Sequence, residues 1–306
     1  MATIFVNGLK ECVLIMNFNP INEAVKCLAN ARLADIEKCF DSDFISFFGT
    51  ITNGVASHLK KMIEDIYEEK QHDKLLFMLT TTGGSATEAE RIVNVLRNFY
   101  DDISFVVPDF AYSAGTILCM SGDNIYMDYF GVLGPIDPQI QRQDGTLIAA
   151  QGYLDKVNEF IEKSKRGILS NAELVMLDKI DLADLRMYEQ ARELTIDLLK
   201  RWLVKYKFRA WTQHRTNELK KGKEVTHSEK LLRAEEIARK LSDSNIWKTH
   251  ARGLDINILH DELRLDIVNY GLNIKQSALF NDYFDLVSDY IRKNNLLFFT
   301  HTRRFF

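Results

Sequence analysis

The chain has 306 residues, a formal net charge of −4 and 46% hydrophobic residues. This length is ample for a well-buried core, and a norm of about 150 residues per domain predicts two domains. The mild acidity argues against a protein that mainly wraps nucleic acid, and the ordinary charged and aromatic content excludes a disordered chain.

The N-terminal residues predict neither a membrane anchor nor a secretion signal. No apolar run approaches the roughly 18 residues needed to span a bilayer. Residues 1–20 lack a basic start and carry Lys10 and Glu11 inside their apolar stretch, which makes a poor signal peptide. The four cysteines show no zinc-site spacing and are expected to be reduced; they are Cys12, Cys27, Cys39 and Cys119. We therefore expect a soluble cytoplasmic protein with no membrane contact.

The first half of the chain alternates strand and helix patterns. Continuous apolar runs predict four buried strands, at 44–50, 75–80, 103–107 and 124–127. Helical spacing predicts the intervening helices, at 55–69, at 85–99 and ending near residue 120. Ser85 and Glu88 form a capping-box pattern at the start of the second helix. This alternation at short spacing favours parallel βα units.

The second half predicts mostly helix, since all four prolines and ten of the fifteen glycines lie before residue 150. The expected helices lie at 153–165, 170–206, 226–241 and 280–306, the last with an aromatic tail. Capping boxes start the second and third of these helices, at Ser170 with Glu173 and at Thr226 with Glu229. Residues 247–268 predict a loop, a short helix and a strand.

Two glycine-bearing turns each follow a buried strand and open a helix. The first holds Gly83 and Gly84, and the second is A-Y-S-A-G at 111–115, which resembles a nucleophile elbow. Small residues let the backbone turn tightly and leave the Ser113 hydroxyl exposed at a helix N-terminus, where N–H groups can hold an oxyanion. Because parallel strands end at one edge of a sheet, the two turns are expected to be neighbours.

Three familiar site types fit this pattern poorly. An α/β-hydrolase usually needs a further strand and helix between its oxyanion loop and its nucleophile, and the thirty residues here are too few. No Gly-Lys-Ser/Thr follows the glycines, which excludes a P-loop. A Rossmann G-x-G-x-x-G is absent as well.

The two turns belong to a longer pattern. The segments LLFMLTTTGGSATEAERIVNVLR and ISFVVPDFAYSAGTILCMSGDNIYMDYFGVLGPIDPQI resemble the Clp-protease/crotonase superfold, and within it the serine dehydrogenase proteinase and signal peptide peptidase A group of serine peptidases. The resemblance covers residues 44–150, with a weaker similarity at 247–268. It implies an α/β fold of ββα superhelix type with a mostly helical second half. It also implies that Ser113 is the nucleophile and that the N–H groups of Gly84 and Ala114 form the oxyanion hole.

The general base is where the sequence departs from the Clp subunits. Those subunits carry a His in the segment that matches GVLGPIDPQI, which here has none, and Asp137 in it is expected to be a turn residue. In the signal peptide peptidase group, which the chain resembles, a Ser–Lys dyad is used and the Lys lies shortly before a long helix. This resemblance implies Lys163 as the first candidate for the base and Lys156 as the second. His250 is the other candidate, since its segment matches the one that supplies the Clp acid.

Each candidate base has a structural alternative. A lysine acts as a base only when burial or a nearby positive charge lowers its pKa, and the lysine-rich stretch 156–166 is also typical of an exposed helix face. A lone histidine such as His250 is often structural. Arg252 beside it could bind a substrate carboxylate or form a salt bridge with Asp255.

We therefore expect a serine peptidase that needs no cofactor and no metal and acts on peptides or proteins through an acyl-enzyme. The resemblance implies a homo-oligomer, with the helical second half as the interface. The chain has no ATPase motif, so an unfoldase partner would be a separate protein. The alternatives are a crotonase-like enzyme acting on acyl-CoA and an inactive scaffold that binds a peptide.

The expected domain organisation follows from the resemblance and from the change in composition. Residues 1–150 and 246–272 would form the Clp/crotonase-like catalytic core. Residues 151–245 would form a helical region, and residues 273–306 a C-terminal helix and tail.

Overall fold

The computed structural model describes residues 20–141, 147–215 and 218–306. The strands in these ranges are β1 (Asp43–Gly49), β2 (Lys74–Thr80), β3 (Asp102–Val106), β4 (Phe110–Ala111), β5 (Asn124–Met127), β6 (Val132–Leu133), β7 (Gln139–Gln141), β8 (Leu147–Ala149), β9 (Val268–Asn269) and β10 (Phe298–His301). The helices are α1 (Pro20–Phe40), α2 (Val55–Glu68), α3 (Ala86–Phe99), α4 (Ala114–Cys119), α5 (Ala150–Lys165), α6 (Asn171–Asp178), α7 (Leu182–Trp202), α8 (His227–Leu241), α9 (Ser244–Trp247), α10 (Ile256–Asp261) and α11 (Ile274–Lys293). Together they form the expected α/β fold.

A six-stranded sheet lies at the centre, in the order β10-β1-β2-β3-β5-β9. The five strands from β1 to β9 run parallel, and β10 lies antiparallel to β1 at one edge. The parallel βα units predicted from the first half are thereby confirmed. Parallel strands need helical crossovers, and α2 and α3 connect β1 to β2 and β2 to β3.

Alternate residues of the central strands face two separate cores. In β1, Ile45 and Phe47 pack in the core that includes α2, α3, α4 and α8, whereas Phe44 and Phe48 pack in the core that includes α1 and α11. Side chains alternate between the two faces of a strand, so a strand covered on both faces reads as a continuous apolar run. This double burial explains why the apolar runs located the strands well.

Two expected helical features differ in the structure. Ser85 caps α3 by accepting from Glu88 N–H, but the Glu88 carboxylate accepts from Gly54 and Ala56 N–H at the start of α2, at 3.0 and 2.8 Å. The pattern is therefore not a reciprocal box, because the first turn of the adjacent helix offers unpaired N–H groups. The boxes that start α6 and α8 are reciprocal, as predicted.

The single helix predicted at 170–206 is two helices, α6 and α7. Asp181 accepts a hydrogen bond from Ala183 N–H at 2.7 Å and so starts α7 as a new helix. A short polar side chain that bonds its own backbone favours a cap over a helix interior. None of the described helices is long and apolar enough to cross a membrane.

The aromatic tail predicted after the last helix instead supplies edge strand β10. Immediately after it, Arg303 contacts the carboxylates of Asp43 and Glu37 at 2.7 and 3.0 Å. It also donates to the carbonyl oxygens of Ile66 and Glu69. Asp43 and Glu37 are buried, so the guanidinium supplies the opposite charge that makes their burial tolerable. The C-terminus is therefore part of the central sheet's support.

A buried chain of hydrogen bonds links β1, α11, β10 and α1. Ser46 and Tyr283 hydroxyls lie 2.7 Å apart, Tyr283 lies 2.8 Å from His301 Nδ1, and His301 Nε2 lies 2.8 Å from Asn30 Oδ1. The amide oxygen of Asn30 only accepts, so Nε2 carries the proton and Nδ1 accepts from Tyr283. This arrangement suits a neutral imidazole.

The burial of His301 predicts that the free energy of unfolding depends on pH. Burial, with a smaller effect of Lys26, lowers the pKa of His301 to about 3 in the folded chain, against about 6.5 when unfolded. Between these values only the unfolded chain binds the proton, so stability is present above pH 6.5 and falls as the pH decreases. His301 should account for about 2 kcal/mol of lost unfolding free energy between pH 7 and pH 5. Urea unfolding at the two pH values measures it.

The matched variants are His301→Asn and His260→Asn. His301→Asn lowers stability at both pH values but should remove this part of the pH dependence. His260 is exposed, and its replacement should leave the pH dependence as in the wild type. Equal pH dependence in the wild type and in His301→Asn would contradict the interpretation.

Candidate active site

Beyond the ends of the parallel strands, the chain forms a second, smaller layer of pairing. β4 pairs in parallel with β6, and single bridges join Thr81 to Ala111 and Leu133 to Leu254. Leu133 and Leu254 exchange two backbone hydrogen bonds, at 3.1 and 2.8 Å. This layer brings the turns that follow β2 and β3 together with the segment before α10.

Ser113 occupies a strained backbone position at the start of α4. Its φ is 52° and its ψ is −116°, a conformation that non-glycine residues rarely adopt. The Ser113 side chain makes no capping hydrogen bond to the helix that follows. The turn therefore leaves the hydroxyl available for another partner, as expected of a nucleophile elbow.

The two glycines of the first turn are required by close approaches of the backbone. A Cβ on Gly83 would lie 2.7 Å from both Ser113 Cβ and the Tyr112 carbonyl oxygen. A Cβ on Gly84 would lie 2.2 Å from the Ile51 carbonyl oxygen. The φ angles of 101° and 138° also lie in the region that favours glycine. The two turns are thus direct neighbours, as predicted from the parallel sheet.

Two backbone N–H groups at this junction have no acceptor among the residues that the structure describes. Gly84 forms a parallel β-bridge with Ile51. The bridge uses the Gly83 carbonyl and the Ser85 N–H, each at 2.8 Å, so the Gly84 N–H points away from Ile51. Ala114 is the first residue of α4, where an N–H has no acceptor within the helix. A Cβ added to Gly83 would lie 3.3 Å from the Ala114 nitrogen, so the Ala114 N–H group lies directly beside the first turn.

Hydrogen bonds of Thr116 link the elbow to the segment after β6. Its hydroxyl lies 2.8 Å from the Ala111 carbonyl oxygen and 2.9 Å from the Gly134 carbonyl oxygen, and it accepts from Gly134 N–H at 2.9 Å. Thr116 is fully buried. Sequence reasoning did not single it out, although its place three residues after the serine in the resembling motif was an available signal.

The two candidate lysines are held by carboxylates of α5 and α6. Lys163 Nζ lies 2.9 Å from Glu159 and 2.7 Å from Glu173, and these hydrogen bonds raise the pKa of Lys163 to about 12. Lys156 pairs with Glu159 at 2.7 Å, and its side chain is 60% exposed. A lysine base needs a lowered pKa. Their assignment as the base stays a prediction, and these contacts do not favour it.

His250 has a different kind of partner. Its Nδ1 lies 2.9 Å from Asp137 Oδ1, and the Asp137 side chain is only 1% exposed. The expectation that Asp137 is a turn residue is therefore wrong. The Ile136 N–H donates to the Leu241 carbonyl at the end of α8, which anchors the preceding residue in the interior. Sequence reasoning missed Asp137 because its partner lies 113 residues away.

Arg252 does not pair with Asp255. The Asp255 carboxylate instead caps α10, accepting from Asn257 and Ile258 N–H at 2.9 Å each. The Arg252 guanidinium lies over the Trp247 ring, 5.6 Å from its centre. A role of Arg252 in binding a substrate carboxylate stays a prediction.

The close approach of the two turns predicts the effect of Gly83→Ala. The added methyl group would overlap Ser113 Cβ and the Tyr112 carbonyl, so the elbow must move and the reactivity of Ser113 with a fluorophosphonate should fall by about 100-fold or more. Gly54→Ala is the control, because Gly54 also has a positive φ, of 100°, but no atom lies within 4 Å of its Cβ position. Intact-mass labelling over time measures both rates. Similar rates for the two variants would contradict the assigned packing.

Several known proteins are similar to this chain. The uncharacterized protein MJ1495 of Methanocaldococcus jannaschii is 30% identical over 125 residues, which cover 39% of this chain and 43% of that protein. MJ0137 of the same organism is 36% identical over 63 residues, or 21% of this chain and 22% of that protein. The chain thus aligns with less than half the length of either relative.

Among solved structures, two mutants of the 1510-N membrane-bound stomatin-specific protease are similar at 15% identity. A lysine-to-alanine mutant in complex with a substrate peptide has a TM-score of 0.44, with 76% of this chain and 75% of that chain covered. A serine-to-alanine mutant has a TM-score of 0.42, with 76% and 82% covered.

A family model settles the assignment. It describes ClpP-like SDH-type serine proteinases and matches residues 47–251, which include both glycine-bearing turns, Asp137 and His250. The matched range covers most of the chain and agrees with the resemblance and fold class predicted from the sequence. The chain therefore belongs to the family of ClpP-like SDH-type serine proteinases.

Proposed function

We propose that this serine peptidase hydrolyses peptide bonds through an acyl-enzyme formed on Ser113. The observation that carries the proposal is the strained elbow. There an uncapped serine lies at the junction of two turns whose Gly84 and Ala114 N–H groups have no acceptor in the described parts of the chain. Backbone strain of this kind is concentrated at functional sites. The alternative of an acyl-CoA enzyme would not require a serine at this position.

The proposed reaction uses the groups at this junction in two steps. Ser113 Oγ attacks the peptide carbonyl carbon while the base takes the hydroxyl proton, and the carbonyl oxygen becomes an oxyanion held by Gly84 and Ala114 N–H. The base then gives its proton to the departing amine, which leaves the acyl group on Ser113. Water, activated by the same base, attacks the ester and releases the second product with the free serine.

We propose His250 rather than a lysine as the base. A neutral imidazole is available near pH 7 without any special environment, whereas the pKa of Lys163 is raised by two carboxylates. The segment that carries His250 is bound to Leu133 through Leu254, and the neighbouring Gly134 packs against Tyr112, next to the nucleophile. These contacts support a position of His250 beside the elbow.

Fluorophosphonate labelling tests the nucleophile and the base together. Wild-type protein should gain one adduct by intact mass, and Ser113→Ala should gain none. His250→Gln should slow labelling and hydrolysis of fluorescent casein by about 10³-fold, because the proton of Ser113 loses its acceptor. Lys156→Ala and Lys163→Ala should stay within about threefold of the wild type.

The control for the lysines is Lys165→Ala, which removes a surface pair with Glu162. An adduct that persists in Ser113→Ala would disprove the nucleophile. Loss of labelling in a lysine variant, with His250→Gln unaffected, would assign the base to that lysine. A folded wild-type protein that gains no adduct would favour the inactive scaffold.

We also propose the homo-oligomer expected from the sequence, with α6 in its interface. No residue of α6 is buried in its own chain, and Leu174, Val175 and Met176 are each 57% exposed. Three adjacent exposed apolar side chains are typical of an interaction site. Lys163 of α5 pairs with Glu173 of α6, so charges of both signs accompany the apolar residues, which suits a second copy of the same surface. A cytoplasmic location and a separate unfoldase stay predictions.

Light scattering after size exclusion tests the interface. Wild-type protein should have a mass that is a multiple of 35.4 kDa, and Val175→Glu should lower it, because a buried unpaired charge opposes association. Leu232→Glu on α8 is the control, since Leu232 is also an exposed apolar residue on a helix. A monomeric wild type would contradict the oligomer, and dissociation by Leu232→Glu alone would place the interface on α8.

A further inference from the structure

We propose that Asp137 is the positioning residue of the catalytic base, holding neutral His250 so that its Nε2 atom receives the proton of Ser113. This inference rests on the proposed function and goes beyond it by giving a role to a buried carboxylate. The order of the two groups is also notable. The acid stands where the Clp resemblance places a histidine, and the histidine stands in the segment where it places the acid.

The burial of Asp137 calls for an explanation. Its side chain is 1% exposed, its Oδ1 contacts His250, and its Oδ2 has no hydrogen-bond partner among the residues that the structure describes. Removing a carboxylate from water is costly unless it is paired. Arg252 of the same segment does not compensate it, since its guanidinium lies over the Trp247 ring. A carboxylate kept under these conditions, with a histidine as its partner, is typical of a functional site.

The contact determines which ring nitrogen of His250 can act as a base. An ionised carboxylate only accepts hydrogen bonds, so Nδ1 carries the proton and donates it to Asp137. The lone pair of the neutral ring is then on Nε2, which has no hydrogen-bond partner in the described part of the chain. The His250 side chain is 18% exposed, so this atom can be reached from outside the core. When the ring takes a proton, the carboxylate stabilises the imidazolium.

The segments that carry the pair are joined to the layer of pairing that lies beside the elbow. Asp137 lies three residues after Gly134, whose missing Cβ would lie 2.5 Å from Tyr112 Cδ1. His250 lies four residues before Leu254, which is hydrogen-bonded to Leu133 in both directions. Both partners therefore come from the small layer of pairing that also carries the nucleophile.

Other histidine–aspartate pairs of the described chain lack these properties. His72 Nδ1 lies at the same 2.9 Å from Asp41, but the Asp41 side chain is 81% exposed. His260 and Asp261 are neighbours in sequence, and both are exposed. Water screens such surface pairs, so their carboxylates cannot hold a ring in one orientation. The His72–Asp41 pair thus provides a control with equal geometry and a different environment.

The test compares Asp137→Asn, Asp137→Glu and the control Asp41→Asn by fluorophosphonate labelling across pH 5 to 9. Wild-type labelling provides the reference rate and pH profile. Asp137→Asn should label about 10³-fold more slowly at neutral pH, because the amide no longer selects the required tautomer. Asp137→Glu keeps the charge and should recover part of the rate. Asp41→Asn should match the wild type in rate and pH profile.

A double variant separates positioning from a structural role. If Asp137 acts only through the histidine, Asp137→Asn combined with His250→Gln should label no more slowly than His250→Gln alone. Rate losses that multiply in the double variant would overturn the proposal. Labelling of Asp137→Asn at the wild-type rate would also overturn the proposal. If Ser113→Ala still gained no adduct in that case, the proposed function would stand while this inference failed.

A measurement on the wild-type chain keeps the proposal testable even if Asp137→Asn does not fold. Nitrogen-15 spectra of histidine-labelled protein, with His250→Gln for assignment, report the protonated ring nitrogen directly. We expect His250 to carry its proton on Nδ1 at pH 8. A proton on Nε2 would overturn the proposal.

Discussion

The candidate site depends on one steric constraint, the contact between Gly83 and Ser113. The two residues follow neighbouring parallel strands, and a single methyl group at residue 83 would overlap the serine Cβ and the preceding carbonyl oxygen. The missing side chain lets the first turn lie against the elbow. The Gly84 and Ala114 N–H groups then border the place where the serine hydroxyl emerges. Every step of the proposed reaction, from the attack on a carbonyl to the stabilisation of an oxyanion, would use atoms that this contact brings together.

A strained elbow persists only when the surrounding structure holds it in place. Here the support comes from a sheet buried on both faces and from Thr116, whose hydroxyl joins the elbow to the segment after β6. One edge of the sheet is closed by β10 and by Arg303, whose single positive charge lies against the carboxylates of both Asp43 and Glu37. The rigid part of the molecule is therefore continuous from residues 298–303 to Ser113, the proposed nucleophile. Such rigidity suits a reaction whose donors must be in position before charge develops.

Electrostatic surroundings distinguish the candidate bases. Lys163 lies between two carboxylates that favour its charged form, so its pKa moves away from the neutral range in which a base is useful. His250 has a carboxylate at Nδ1, and its Nε2 has no hydrogen-bond partner within the described ranges of the chain. That asymmetry is what a general base requires, since one nitrogen must be held and the other must be open. In the proposed site the acid precedes the base along the chain, which is compatible with catalysis because geometry, and not chain order, defines such a site.

The sequence by itself determined the parallel βα units and the two glycine-bearing turns, and it singled out Ser113 as the candidate nucleophile in the second turn. These features are local, because burial on both faces, helix caps and tight turns impose patterns on neighbouring residues. Only the tertiary structure decided that Glu88 caps the adjacent helix, that the aromatic tail is a strand and that Asp137 meets His250. Asp137 and His250 are 113 residues apart, and a contact over that distance leaves no periodic signal in the chain. It arises from the way β6 and the segment before α10 pair, which depends on the whole fold.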